Sequence, residues 1–211
     1  MFGCNALFND MYDLVEKNNG IITKVVLNME IENKPKRITF QERMLRTPSV
    51  QLVRFDEFIQ NTYERYIIGF PGLGIEKLVN EVKEKFKINF QTLTHPSTIY
   101  TRHTIVGEGS IILAGVIIAS YVSIGKFVRI NRGATIGHDT VLEDFSSVQP
   151  GANIASNVRV GKGAKICLGA NIAEDLVIGA GSTVAAGAVV LEDVPDNCMV
   201  AGVPAVIKKK I

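Results

Sequence analysis

From Val106 to Val190 an aliphatic residue stands at every sixth position, fifteen times without a slip, from Val106, Ile112 and Ile118 through to Ile178, Val184 and Val190. Four residues after each comes a small or modestly apolar side chain, as at Ser110, Val116, Ala134, Thr140, Ala152 and Ser182. A helix needs a period near 3.6, and a lone strand a period of 2 over a short run. A six-residue period describes a chain that turns at regular intervals and buries one large side chain per flat segment. Such segments cannot bury their apolar faces alone, so they stack into a β-helix with one continuous core. Three segments close a triangular coil, which sets residues eighteen apart above one another at ~4.8 Å, the usual spacing of paired strands. No loop interrupts the register between Val106 and Val194. The repeat is predicted to begin at Val106, with one irregular coil before it near Ile99.

Residues 1–92 carry a different pattern. Met11, Leu14 and Val15 stand at helical spacing and predict a helix over 10–17, stopped by Asn18-Asn19-Gly20. Residues 21–27 are β-branched and strand-like, and Tyr66-Ile67-Ile68-Gly69-Phe70 predicts another strand ahead of a Pro-Gly turn. Leu78, Val79 and Val82 mark one face of a helix over 76–86. Strand–turn–helix alternation predicts a small Rossmann-like α/β domain over 1–92, followed by an all-β domain over 93–211. Thr94-His95-Pro96-Ser97 is the seam, because Pro96 holds His95 extended. The open ends of a stack are exposed edges that need covering. The α/β domain is expected at one end. At the other, Val194-Pro195-Asp196-Asn197 breaks the repeat, and the tail 200–211 is expected to fold back.

Composition narrows the function classes. A formal charge of +2 with interspersed signs gives no case for nucleic acid or a membrane surface. The uncharged stretch 109–125 is long enough to suggest a membrane span, but the six-residue register runs through it and serines interrupt it. Three cysteines without CxxC spacing, and a start (MFGCNALFND) without a basic, apolar leader, lead us to expect a reducing cytoplasm.

Little of the chain carries obvious chemistry. His138 stands in the third place of its hexad, two residues after Ile136, at a corner facing away from the core. It reads either as a solvent-facing turn histidine or as a general base, since imidazole is the side chain that exchanges protons near neutrality. Asp139 beside it is a turn carboxylate or its partner. The eighteen-residue period sets Ser156 above His138 and Ser120 below it, and pairs Leu168 with Ala186 on a neighbouring edge. Cys167 falls off the His138 edge, which leaves no evident covalent nucleophile. His95 and His103 read as structural or incidental. No close histidine pair brackets an edge, so no metal site is expected.

Three stretches, THPSTI, INRGATIGHDTVLEDFSSVQPGANIASNVRVGKGAKICLGANI and VPDNCMVAGVPA, resemble the left-handed β-helix acyltransferases of the NeuD/PglD type. The resemblance covers 94–211 well and the N-terminal domain loosely. It implies the left hand of the helix and acetyl-CoA as acyl donor. It also implies a homotrimer with clefts between neighbouring prisms. The activity implied is N-acetylation of a nucleotide-linked amino sugar in bacterial glycan biosynthesis. Sugar or sialic acid O-acetylation, and a catalytically silent sugar-binding scaffold, stand as alternatives.

By the same resemblance His138 falls on the general base, Asp139 on the acidic residue that orients it, and Asn131 on a position contacting the acceptor. Ser156 matches a position, commonly glycine, whose backbone N–H faces the thioester. Leu168, Ala186 and Gly187 fall on the CoA groove, and Gly202-Val203-Pro204-Ala205 on the turn beside it, which gives Pro204, Ala205 and Lys208 a place near the CoA. Ser147 stands where similar proteins carry a second histidine. The Gly-rich turn of the nucleotide-binding domain reads Gly3-Cys4-Asn5-Ala6-Leu7-Phe8, with one glycine kept, Leu7 for a histidine, and Asn28-Met29 for an acidic pair. Gly3, Cys4 and Asn5, with the later loop Gly69, Phe70 and Pro71, are the residues expected to meet the nucleotide sugar.

Overall fold

The structure, a computed structural model, describes residues 1, 8–27, 50–69 and 74–211. The chain divides into two units, Met1–Gln91 and Thr92–Ile211.

In the first unit helix α1 (Phe8–Lys17) buries Met11 and Leu14, the residues its spacing puts on one face. It stops as its chemistry dictates. The Asn18 side-chain amide donates to the Leu14 carbonyl at 2.8 Å, Gly20 N–H donates to the Val15 carbonyl at 2.9 Å, and Asn19 takes a φ of 58°. Strands β1 (Lys24–Leu27) and β2 (Gln51–Arg54) pair in parallel. Helix α2 (Ile75–Phe86) buries Leu78, Val79 and Val82. The strand expected over 66–70 does not form in its described part. Tyr66 makes one parallel bridge to Phe90, and its hydroxyl turns to Asn61, accepting from the backbone N–H at 2.9 Å and donating to the carbonyl at 2.8 Å. Ile68 also stands at a bridge position, and both it and Ile67 are buried, so in its described part this apolar run supplies core and isolated bridges.

The second unit is a parallel β-solenoid of about six turns that matches a left-handed β-helix. Its two-residue strands form three faces. The first face runs through Ile111–Ile112, Arg129–Ile130, Ser147–Val148, Lys165–Ile166 and Thr183–Val184. The second runs through Ile117–Ile118, Thr135–Ile136, Asn153–Ile154, Asn171–Ile172 and Val189–Val190. The third runs from Ile105–Val106 through Ser123–Ile124, Val141–Leu142 and Arg159–Val160 to Val177–Ile178. Pairing is eighteen residues apart up to Val190, as in Ile124 to Leu142 to Val160, and sixteen in the last coil, where Ile178 meets Val194 and Val184 meets Val200. Every aliphatic of the sixfold series from Ile112 to Val190 is buried. Three of the four hydroxyls in the companion series, those of Ser110, Thr140 and Ser182, bond to the coil above, while the buried Ser146 Oγ has no partner among the described residues. Ser110 Oγ donates to the Gly125 carbonyl at 2.7 Å and accepts from Val128 N–H at 2.9 Å, and Ser182 repeats the arrangement with Pro195 and Cys198.

The solenoid begins a coil earlier than Val106. Leu93–Thr94 (β3) pairs with Ile111–Ile112, and Ile99 bridges Ile117. Thr94 and Tyr100 stand where the aliphatic series would continue, which hides this coil from a periodicity count. The Thr94-His95-Pro96-Ser97 seam therefore lies inside the first coil. His95 Nδ1 and Ser97 Oγ are 2.8 Å apart, and Ser97 Oγ accepts from Gly115 N–H at 3.0 Å, so this motif stitches the first corner to the second. At the other end the tail forms a hairpin in place of a simple fold-back. The strand Cys198–Gly202 keeps the parallel ladder, Val200 pairing with Val184, and the strand Ala205–Lys210 returns antiparallel to it.

Candidate active site

From Gly109 to Gly187 each corner of the solenoid ends in a residue with positive φ, and the three edges fill that position differently. Between the first and second faces it is always glycine: Gly115, Gly133, Gly151, Gly169 and Gly187. Between the second and third faces it is Tyr121, Asp139, Asn157 and Asp175, at φ between 57 and 62°. The third edge mixes glycines with Phe127 and Phe145, whose rings stack at 5.3 Å. Since Tyr, Phe, Asp and Asn all adopt this conformation here, backbone geometry alone does not demand the unbroken glycine column. Nor does crowding within the chain, because a Cβ on Gly133, Gly151, Gly169 or Gly187 would meet nothing within 4 Å.

The edge between the second and third faces carries His138 and Asp139. Both are exposed, with the His138 side chain 61 % accessible, and His138 Nδ1 lies 2.7 Å from Asp139 Oδ2. A carboxylate only accepts, so this contact places the proton on Nδ1 and leaves the Nε2 lone pair facing solvent. The positive φ of Asp139 is what swings its carboxylate back to the preceding ring, and Asp is among the few residues that tolerate the left-handed region.

The coil hydrogen bonds fix the pair's neighbours. Asp139 N–H donates to the Ser120 carbonyl at 3.1 Å, and the His138 carbonyl accepts from Asn157 N–H at 2.8 Å. Ser156 therefore lies one coil above His138. Gly137 makes this spacing possible: a Cβ there would come within 2.5 Å of Ser156 N and 2.4 Å of the Ala155 carbonyl carbon. The Ser156 N–H has no acceptor among the described residues. The edge therefore holds a proton acceptor and, a coil away, an unused backbone donor.

The other candidates lie elsewhere. Leu168, Ala186 and Gly187 occupy the glycine edge, where Gly187 N–H donates to the Leu168 carbonyl at 2.9 Å and Leu168 is exposed. Asn131 is on that same edge. It is buried, and its side-chain oxygen accepts from Arg132 N–H at 2.9 Å, which leaves its amide N–H groups for other partners. Ser147 lies on the first face, paired with Arg129 and Lys165. Pro204, Ala205 and Lys208 belong to the terminal hairpin, which joins the coil of Ala186 through an Ala185 N–H to Val200 carbonyl bond of 2.9 Å. Within one chain, then, the His138 edge and the Leu168 edge are separated by the whole second face. Cys167 sits beside Leu168, half-buried, and burial pushes its thiol above the usual range. Gly69 is buried, while Gly3, Cys4, Asn5, Phe70 and Pro71 lie outside the described residues, as do Leu7, Asn28 and Met29.

No family model and no curated protein matches the chain. Solved structures do. A histidine-to-alanine variant of GDP-perosamine N-acetyltransferase from Caulobacter crescentus, in complex with CoA and GDP-perosamine, is 24% identical with a TM-score of 0.84, covering 99% of this chain and 95% of its own. A histidine-to-asparagine variant of perosamine N-acetyltransferase from that organism, in complex with the same two molecules, is 25% identical over the same shares, with a TM-score of 0.81. The acetyltransferase domain of PglB from Neisseria gonorrhoeae is 22% identical with a TM-score of 0.79, covering 100% of this chain and 97% of its own. The chain has the fold of the hexapeptide-repeat sugar acyltransferases.

That acyltransferase fold spans both units of the chain. Among the described residues no group of His, Cys, Asp and Glu is placed to hold a metal ion, and no helix is long and apolar enough to cross a membrane. Two features escape a sequence reading based on hexads. One is the glycine column, which appears only when positions are counted in eighteens. The other is His103, whose ring stacks on Tyr121 at 4.9 Å and an interplanar angle of 20°, below Asp139 on the same edge.

Proposed function

We propose that the chain is an acetyl-CoA-dependent N-acetyltransferase whose acceptor is the amino group of a nucleotide-linked amino sugar in bacterial glycan biosynthesis. The observation that carries this reading is the exposed His138–Asp139 pair, joined at 2.7 Å, on a fold shared with enzymes solved with CoA and GDP-perosamine. Asp139 accepts from Nδ1–H and holds the ring so that Nε2 receives a proton. The acceptor amine gives up that proton to Nε2 as its nitrogen attacks the thioester carbonyl carbon. The tetrahedral intermediate then collapses, the C–S bond breaks, and the departing thiolate takes the proton as CoA leaves. An amide remains on the sugar. The Ser156 N–H, one coil away, is the donor best placed for the oxyanion, where a preorganised hydrogen bond contributes most.

The separation of the two edges supports assembly with a neighbouring chain, for which a homotrimer is the arrangement proposed. His138, Asp139 and Ser156 stand on one edge, and Asn131, Leu168, Ala186 and Gly187 on another. A neighbouring prism presenting its glycine edge to the His138 edge would bring both sets around one cleft. The glycine column supports this, because it leaves open ground where a second chain or a pantetheine arm can approach closely. Leu168 and Ala186 would line the CoA arm, with Pro204, Ala205 and Lys208 toward its far end. The first unit, through Gly3–Asn5 and Gly69–Pro71, would hold the nucleotide. Cys167, with its raised thiol and its place on the glycine edge, is not the nucleophile in this scheme.

The test is release of free thiol from acetyl-CoA against a panel of UDP-, dTDP- and GDP-linked amino sugars and free sialic acids. Acetylation of an amino sugar is expected, with loss of activity in His138→Ala. Activity confined to sialic acids would replace N-acetylation by O-acetylation. Full activity in His138→Ala would remove the base, and a monomer at micromolar concentration would remove the cleft.

A further inference from the structure

The His138 edge continues below the catalytic pair into an aromatic pile. His103, Tyr121 and Asp139 follow one another at eighteen-residue steps, and the rings of His103 and Tyr121 stack at 4.9 Å, 20° from parallel. Tyr121 holds a φ of 61° while remaining 60% exposed. A bulky side chain in this conformation is strained unless packing offsets the strain. Phe127 and Phe145 at the same φ on the neighbouring edge are packed against each other, and Phe127 is buried. The ring of Tyr121 stacks on His103, and the His138–Asp139 pair stands one coil further along the same edge, where Asp139 N–H donates to the Ser120 carbonyl. Because every corner from Gly109 to Gly187 takes this φ, what sets Tyr121 apart is an aromatic ring left exposed on the edge of His138.

The charges along this edge are polarised. Arg102 stands two coils below His138 in the same column, with its Nε 3.4 Å from His103 Nε2. Above the pair the same two columns hold Glu174 and Asp175, and the shortened corner that follows carries Glu192 and Asp193. An anionic group is therefore favoured at the Arg102 end and disfavoured at the other. A flat ring with C–H bonds on one face fits an exposed tyrosine, whose ring gives apolar area and whose hydroxyl gives a polar tip.

We propose that Tyr121, backed by His103, is the specificity-determining residue that seats the acceptor's sugar ring beside His138, with Arg102 receiving the acceptor's anionic part. This rests on the reading above that His138 deprotonates a nucleotide-linked amino sugar. The acceptor lies along the edge with its phosphates toward the first coil and its amine toward Nε2. Tyr121 holds the ring against the amine's displacement, and His103 keeps Tyr121 from swinging into solvent.

The experiment is steady-state kinetics of wild type, Tyr121→Phe, Tyr121→Gly and His103→Ala with GDP-, UDP- and dTDP-linked amino sugars, varying acceptor and acetyl-CoA separately. Tyr121→Gly is expected to raise the acceptor KM on the order of 10-fold or more, as loss of a stacking ring does, with the acetyl-CoA KM unchanged. Tyr121→Phe keeps the wild-type acceptor KM, and His103→Ala gives a smaller rise than Tyr121→Gly. Glycine relieves the positive φ, so a melting temperature at or above wild type in Tyr121→Gly separates lost contact from lost fold. An unchanged acceptor KM in Tyr121→Gly, or an equal rise in both KM values, overturns the proposal while leaving His138 as the base. A wild-type chain that acetylates none of these acceptors overturns the underlying function, and this proposal with it.

Discussion

Two glycines in one corner should respond oppositely to the same added methyl group. Gly161 and Gly163 flank Lys162 where the third face turns into the first. A Cβ on Gly161 would lie 2.6 Å from Ala180 N and 2.9 Å from both Ala180 Cα and the Gly179 carbonyl carbon, all backbone of the next coil. Relieving that contact to 3.4 Å requires the coils to part by roughly 0.8 Å. The Gly161 N–H to Ile178 carbonyl bond, 2.7 Å long, would then stretch to the outer limit of a hydrogen bond. Overpacking of this kind costs ~1–3 kcal/mol and each lost bond about 1 kcal/mol, so Gly161→Ala should destabilise by roughly 2–5 kcal/mol. Gly163 has a φ of 68° and nothing within 4 Å of its Cβ position. Gly163→Ala therefore meets only the left-handed backbone cost of ~1–2 kcal/mol, which Phe127 and Phe145 already sustain in the same column. Equilibrium urea unfolding followed by far-UV circular dichroism separates the two through their midpoints. If Gly161→Ala unfolds no earlier than Gly163→Ala, coil contact is not what reserves that position for glycine.

Further outcomes follow from the site. Asp139→Ala should lower kcat on the order of 10-fold or more with little change in the acetyl-CoA KM, because the residue orients the His138 ring; unchanged kcat would show that the ring needs no such partner. Gly151→Ala should cost no more than ~1–2 kcal/mol of stability yet weaken self-association or CoA affinity. Sedimentation and CoA titration check this, and wild-type values in both would leave the glycine column without a role. Cys167 should be alkylated by iodoacetamide more slowly than an unstructured cysteine at neutral pH, since burial raises its thiol and lowers the thiolate fraction. The rate should climb as pH rises through and beyond the ordinary thiol range and drop when CoA is added. Alkylation as fast as that of a free peptide would contradict the burial.

Much of this was readable in the chain because a repeat converts sequence position into spatial position. The sixfold series placed the core from Ile112 to Val190, and steps of eighteen placed Ser156 over His138 and Ala186 over Leu168. The first coil was legible only as an irregular one near Ile99, because Thr94 and Tyr100 replace the aliphatic signal there while the backbone ladder continues. Tyr66 to Ile68 misled for the opposite reason, since a β-branched apolar run serves equally well as core filling. The Asp139 contact was beyond reach of spacing rules: adjacent residues meet only because the corner turns through positive φ. His103 was passed over because an isolated histidine carries no signal until its eighteenth neighbour, Tyr121, is considered with it.

The absence of any insertion between the coils has a kinetic side. Nearly every rung joins a residue to one about eighteen places away, so the solenoid behaves as a zipper whose teeth open in order from its ends. Fraying at the terminal hairpin must pass through the coils of Val184 and Ile166 before it reaches His138, which has closed rungs on both sides. Amide exchange is therefore slowest around the middle coils and quickens toward the C-terminal end. A residue placed mid-stack, as His138 is, keeps its alignment while the outer coils breathe, so one uninterrupted ladder combines a fixed centre with a yielding margin.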